Sequence, residues 1–454
     1  MINKLLFLIS ILFTLLITSQ NIDAKSLHKT KQEHTKHRST HKISSKKAFY
    51  KQYSSFNRHK INLTLNNIHA FKKSVLSLSD SLRYNLIHSD NNAISNQDQL
   101  SKLTDKLKLV LKSHKQVVRF VHIGDSHIQA DMLTSVIRNG LQTRYGNAGR
   151  GIVFPWQVVK TNGPIDILSV SNKVWLSGRI SLPHSPIEGG VCGYGLRSSD
   201  SDGFIEISLK PGHIENDSFD LLHLFVGKNS GYLSIKYDGI DQKDLCINPD
   251  NSYEDNQIVL RHKTNSINIS RAPSDSSGFD FYGISLEKKN ASGIIYHTIG
   301  VNGAEFASYN KSPLFWEQIG ALNADCYIIS LGTNEAQNTN LKIEDIVLQV
   351  KTMINKLKQV SPDAVFIITT PPASYFHHLN QNPLIKTIAE ILINESEHEK
   401  ISAWDLYSIL GSDESSNIYK KYGLYRPDFI HFNRQGYELQ GEMLLTALLK
   451  IIDK

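Results

Sequence analysis

A serine, a histidine and a carboxylate suffice for acyl transfer when a fold brings them together. In this 454-residue chain the candidates are Ser126, within Gly124-Asp125-Ser126, and the pair Asp428 and His431, within "YRPDFIHFNRQGYEL". A serine hydroxyl is a weak nucleophile and needs a general base, a task to which the pKa of histidine is suited. The base in turn needs a carboxylate on its second ring nitrogen to fix its tautomer and orientation. Asp428 and His431, three residues apart, can offer both groups from one loop. Gly303 in "IGVNGAEF" and Asn334 in "LGTNEAQ" add amide donors for a developing oxyanion, each worth about 2.7–4 kcal/mol by analogy with a measured case. The Ser126 N–H, at the start of a helix, is a third. This set fits the cleavage of acyl esters.

Each residue also has a plainer reading. Gly-Asp-Ser is a common turn, Asn334 can cap a helix, and Gly303 can serve a tight turn. Asp428 follows Pro427 and can be turn chemistry, with His431 a satisfied structural histidine. What favours chemistry is their joint placement at one rim, where the carboxyl ends of parallel strands meet their loops. Asp125 is expected to shape the turn, His122 to be buried in its strand, and His127 at most to line the pocket. No cofactor or metal is called for.

The elements that must position these residues can be read from periodicity. "VRFVHIG" is an apolar strand ending at the Gly-Asp-Ser turn, and "DMLTSVIRNGLQTRYG" beyond it is helical. Later strands are "GIIYHTIG", "DCYIISLG", "AVFIITT" and "ISAWDLY". Helices lie between them in "LKIEDIVLQVKTMINKLKQV" and "NPLIKTIAEILINE", and "RQGYELQGEMLLTALLKIID" closes the chain. Near-continuous apolar strands alternating with helices imply a parallel sheet covered on both faces. Residues 150–292 have another texture, with short alternating runs such as "FIEISLK" and "YLSIKYDG" divided by Gly, Asn, Asp and Ser. That texture implies an antiparallel β-sandwich, jelly-roll-like, inserted after the first βα unit. The expected organisation is an export signal over 1–24, a basic disordered linker over 25–60 and a helical segment over 61–116. The α/β domain then occupies 117–149 and 293–454, with the β insert between.

With the blocks Gly124-Asp125-Ser126, Gly303, Gly332-x-Asn334 and Asp428-x-x-His431 in this order, the chain resembles the SGNH (GDSL) hydrolase family. The resemblance covers 117–149 and 293–454. It implies a flavodoxin-like three-layer domain with Ser126 as nucleophile, His431 as base and Asp428 as its orienter. Ser126 N–H, Gly303 N–H and the Asn334 side chain would form the oxyanion hole. Gly300 is the alternative in the second block; "VNGA" matches the family pattern better. Glu335 departs from the aspartate many members carry there, with the chemistry expected to stay intact. The longer "GDSHIQAD" and the insert are similar to periplasmic peptidoglycan O-acetylesterases, whose insert resembles a carbohydrate-binding module. The implied substrate is an acetylated glycan, the 6-O-acetyl ester of muramic acid in peptidoglycan. Acetylated polysaccharide of the xylan type, transfer of the acetyl group, and a non-catalytic glycan-binding protein are the competing readings. Trp156 and Trp175 could stack on sugar rings; a core role is favoured.

Charge and termini bound the setting. Lys4 followed by "LLFLISILFTLLI" and then Ala24 reads as a signal for export to the periplasm or cell envelope, and the apolar run is shorter than the roughly 20 residues of a membrane span. The formal charge of +7 conceals a net +10 over residues 25–60 and −3 over 61–454. The tail "KSLHKTKQEHTKHRSTHKISSKK" lacks apolar periodicity and is expected to be a solvated linker or to associate with an anionic envelope surface. Export disfavours nucleic acid as a partner. Cys192, Cys246 and Cys326 have no metal-ligand spacing; Cys326 reads as a buried strand residue, and a Cys192–Cys246 bridge is left open.

Overall fold

Five strands run parallel through the centre of the computed structural model, in the order β13 (Gly293–Gly300), β1 (Val117–Gly124), β14 (Cys326–Ser330), β15 (Val365–Thr369) and, at the edge, Ser402–Trp404. The structure describes residues 80–453 apart from 201, 211–217, 228–231, 239, 247–255, 272–278 and 377–379. The predicted export signal, the basic tail and the start of the helical segment therefore lie outside the described residues.

Alternate side chains of these strands enter two cores, as the pleat requires. Val118, Phe120, Tyr296, Ile328 and Ile367 pack with the helices Ser101–Ser113, Thr134–Tyr145 and Arg434–Ile452. Val121, Ile123, Ile299, Ile329 and Ile368 face the opposite way, against Ile343–Val360 and Leu384–His398. Sheet and two helical layers give the three-layer α/β architecture expected from the sequence.

The insert is likewise observed as two antiparallel sheets. One joins β10 (Gln257–Thr264), β7 (Phe219–Val226), β12 (Phe279–Glu287), β5 (Tyr194–Ser198) and β4 (Leu176–Arg179), with β2 (Gly149–Val153) paired to β12. The other joins β3 (Ile167–Ser171), β6 (Phe204–Leu209), β11 (Ser266–Arg271), β8 (Tyr232–Tyr237) and β9 (Ile240–Cys246). Alternating burial along β6 and β11 shows why: one face of each strand enters the sandwich core. Trp156 and Trp175 are both buried there, so their role is packing. Cys192 and Cys326 are buried free thiols. The core of the insert is continuous with that beneath the parallel sheet.

A buried ion cluster also ties the two parts. Asp131 accepts from Arg138 Nη1 at 2.9 Å and from Arg150 Nη2 at 2.7 Å. Asp166, entering the insert, accepts from Arg150 Nη2 at 3.1 Å. Burial alone would raise the Asp166 carboxyl, but Arg150 and Arg138 hold it at about 2. Asp131 has φ +57°. The sequence pattern allowed a helix to run on from the Gly-Asp-Ser motif; instead a single turn, Ser126–Gln129, stops before Asp131, and the long helix starts at Thr134. The left-handed conformation at Asp131 breaks the helix while aiming its carboxylate at both arginines.

Asp131→Asn keeps a residue that tolerates positive φ and removes the charge between two buried guanidinium groups. Urea unfolding is expected to show a loss of about 3–5 kcal/mol; a change below about 1 kcal/mol would refute this role for the cluster.

Candidate active site

Strands β1 and β13 align so that Gly124 lies opposite Gly300 at their carboxyl ends. A methyl group at Gly124 would meet Ile128 Cγ1 at 2.4 Å, and one at Gly300 would meet the Gln129 backbone nitrogen at 2.2 Å. The absence of both side chains lets the turn Ser126–Gln129 press onto the strand ends. The Tyr309 hydroxyl donates to the Gly124 carbonyl at 2.7 Å, and the Asp125 carboxylate caps the turn by accepting from His127 N–H at 2.8 Å. Asp125 thus shapes the turn, as its position in the motif predicts. Gly300 is explained by packing, which leaves Gly303 as the second-block candidate.

His431 reaches this turn from the other end of the chain. A hairpin carries it: Arg426 N–H bonds to the His431 carbonyl at 2.8 Å, and Asn433 N–H bonds to the Leu424 carbonyl at 2.8 Å. Asn433 then caps the last helix by accepting from Gly436 N–H at 3.0 Å. The Ser126 hydroxyl lies 2.7 Å from His431 Nε2, and His431 Nδ1 lies 2.9 Å from Asp428 Oδ2. The other Asp428 oxygen accepts from the N–H groups of Ile430 and His431, at 2.9 and 2.8 Å. Burial alone would raise the Asp428 carboxyl, but these bonds and the imidazole hold it below the ordinary carboxylate value. An ionised Asp428 fixes the Nδ1–H tautomer and leaves Nε2 free to accept a hydrogen bond from the Ser126 hydroxyl.

The remaining candidates close around the same point. Val301 to Ala304 form a turn closed by Ala304 N–H to the Val301 carbonyl at 3.0 Å, with Gly303 at φ +76°. The Asn334 amide donates to the Ala304 carbonyl at 2.9 Å and to Asp125 Oδ2 at 3.3 Å. It does not cap the turn that follows it. Both of its hydrogens have acceptors here, so any further acceptor would have to displace the long contact to Asp125. Burial pushes the Asp125 carboxyl up to about 7, against the pull of the His127 N–H bond.

His122 is buried as expected, bonded through Nδ1 to the Tyr296 hydroxyl at 2.8 Å and through Nε2 to Ser330 at 2.7 Å. Burial lowers it to about 3, so it is neutral. His127 does more than line a pocket: its ring stacks on His431, with centroids 5.3 Å apart, and its Nδ1 lies 3.1 Å from the Tyr437 hydroxyl. Burial, then the proximity of His431, lowers it to about 3. A neutral imidazole supports the His431 ring without opposing its protonation.

Nothing in the sequence marks what Gln129 holds, and Glu335 stands out there only as a departure from the aspartate of the family pattern. Gln129 Oε1 accepts from Asn302 N–H at 2.8 Å and from the Tyr194 hydroxyl at 2.7 Å, joining the nucleophile turn, the second block and the insert. Glu335 is buried and accepts from Phe306 N–H at 2.7 Å, anchoring the helix after the second block. Their adjacency to Ser126 and Asn334 was the available signal; their partners were not legible. Burial pushes Glu335 up to about 8, against its bond from Phe306.

Residues 274–439 match the GDSL-like lipase/acylhydrolase family model. The match omits the Ser126 block, which the insert separates from the rest. No curated protein matches the chain in sequence. Among solved structures the chain is similar to a peptidoglycan O-acetylesterase, with 21% identity over 79% of this chain and 99% of that one and a TM-score of 0.69. An acetyl xylan esterase aligns with 17% identity over 34% of this chain and 81% of that one, TM-score 0.28. An acetyl-xylooligosaccharide esterase from Geobacillus Stearmophilus aligns with 15% identity over 36% and 74%, TM-score 0.28. The family match covers three of the four motif blocks, and the fold agrees with the resemblance those blocks carry.

Between pH 4.5 and 8 the folded chain keeps a proton on Glu335 that the unfolded chain has lost, so stability falls as pH rises through this window. Glu335→Gln retains the acceptor for Phe306 N–H and cannot ionise. Melting curves from pH 5 to 9 should show a shallower loss of stability in the variant; parallel curves would contradict a protonated Glu335.

Proposed function

We propose that the protein is an exported serine esterase that removes O-acetyl groups from a cell-wall glycan, foremost the 6-O-acetyl ester of muramic acid in peptidoglycan. The observation that carries the reading is the unbroken hydrogen-bonded path Ser126–His431–Asp428 beside the Gly303 turn. Ser126 Oγ attacks the acetyl carbonyl carbon while His431 Nε2 takes its proton. The Ser126 and Gly303 N–H groups, and Asn334 once released from Asp125, stabilise the oxyanion. The C–O bond to the sugar then breaks, and the departing alkoxide takes the proton from His431. Water, deprotonated by His431, attacks the acetyl-enzyme; acetate leaves and Ser126 regains its proton. Asp428 holds the imidazolium in place in both half-reactions.

The choice of glycan draws on the motif "GDSHIQAD", on an inserted β domain in this position and on the export signal, a combination that suits an envelope polymer. The insert is proposed to contact the glycan through a depression of about 750 Å³ on the sheet β3-β6-β11-β8-β9, where Phe204, Glu206 and Asn268 line the wall. The basic tail would reinforce attachment to an anionic surface.

Acetate release from purified O-acetylated peptidoglycan tests the proposal. Wild type is expected to release acetate, and Ser126→Ala and His431→Ala to lose at least about a hundredfold. Equal release by the variants would overturn the site. Turnover of p-nitrophenyl acetate without release from peptidoglycan would move the substrate to another acetylated glycan, or the reaction to transfer.

A further inference from the structure

The turn from Val301 to Ala304 is tethered more heavily than its length requires. Its closing bond and the positive φ of Gly303 in third place are those of a type II turn. In such turns the central peptide, here Asn302–Gly303, has an alternative orientation related by a flip of about 180°, the type I form. Glycine permits both. Because a trans peptide is planar, its C=O and N–H point in opposite directions. Whatever holds the Asn302 carbonyl therefore also aims the Gly303 N–H.

The holding group comes from the insert. The Ser181 hydroxyl, two residues beyond β4, donates to the Asn302 carbonyl at 2.8 Å. On the near side of the same residue, Gln129 Oε1 fixes the Asn302 N–H, while Gln129 Nε2 is held by the Asn162 carbonyl at 2.7 Å. Tyr194, also from the insert, holds the same Gln129 oxygen. A methyl group added at Gly303 would find Ser181 Oγ as its nearest neighbour, at 3.9 Å. The Cβ position of Gly303 is thus uncrowded, and the group bonded to the Asn302 carbonyl is the Ser181 hydroxyl.

We propose that Ser181 is a positioning residue for ester cleavage, and that the inserted β domain completes the oxyanion hole by locking the Asn302–Gly303 peptide. This rests on the assignment of Ser126 as nucleophile and Gly303 as donor made above. The insert then acts on the chemical step, in addition to any contact it makes with glycan.

The test uses the full chain, with p-nitrophenyl acetate as substrate, in wild type, Ser181→Ala, Ser181→Thr and Ser126→Ala. Loss of an entire oxyanion donor costs about a hundredfold or more, so loss of its lock should lower kcat of Ser181→Ala by about tenfold, with KM changed less than about twofold. Ser181→Thr keeps the hydroxyl and should recover to within about threefold of wild type. Phosphorylation of Ser126 by diethyl p-nitrophenyl phosphate, whose phosphoryl oxygen occupies the oxyanion site, should slow by the same factor in Ser181→Ala. Melting temperatures should agree within a few degrees. Wild-type kcat in Ser181→Ala, with Ser126→Ala inactive, would overturn the role of Ser181 and leave the esterase reading standing. A Ser181→Thr variant as impaired as Ser181→Ala would also overturn it, since bulk and not the hydroxyl would then matter. Activity surviving in Ser126→Ala would overturn both.

Discussion

The close approach of the turn Ser126–Gln129 to the ends of β1 and β13 governs the rest of the site. Gly124 and Gly300 stand opposite each other in register, and neither position has room for a methyl group. With both side chains absent, the backbone after β1 turns within one residue. Ser126 is then presented at the rim, and Gln129 meets the second block. A side chain at either glycine would lift the turn off the sheet and separate Ser126 from both His431 and the Gly303 turn. Rotamer changes elsewhere could not restore an arrangement set by backbone contact.

Around this constraint the protein places several buried ionisable groups, each neutralised in its own way. Asp131 and Asp166 are compensated by Arg138 and Arg150. Asp125 and Glu335 pair with no cation among the described residues and are raised by burial to about 7 and about 8. His122 and His127 are held neutral. Asp428, half-exposed and bonded by three N–H groups, is kept ionised beside His431. Around Ser126 the negative charge is thus kept next to His431, where the proposed reaction would place an imidazolium, and in a low-dielectric setting such an attraction is worth more than it would be in water.

The insert is bonded to the rest of the chain at several points and is not an appendage. Its core continues into the core below the parallel sheet, its loop supplies Asp166 to the ion cluster, and Ser181, Tyr194 and Asn162 bear on the second block. The chain leaves the first βα unit beside the amino end of β13, where Ile294 N–H bonds to the Gly146 carbonyl, and β2 then runs along β13, with Ile152 N–H bonded to His297 Nδ1.

By itself the sequence determined the features that depend on local chemistry. Apolar runs such as "DCYIISLG" and the amphipathic period of "LKIEDIVLQVKTMINKLKQV" specify strand and helix, and the change of texture near residue 150 marks the insert. Ser126, Gly303, Asn334, Asp428 and His431 are recognisable because their types suit the chemistry and their blocks recur in a fixed order. The tertiary structure alone decided which groups hold them. Ser181 and Asn302 are 121 residues apart, and Tyr194 and Gln129 are 65 apart. A serine, a tyrosine and a glutamine have many other uses, so no local pattern marks them as partners. Likewise the one-turn helix after Ser126 follows from the left-handed Asp131, whose conformation is tied to arginines that meet it only in the fold. Periodicity records which face a residue turns to the core. Hydrogen-bond geometry between distant segments exists only once the segments have met.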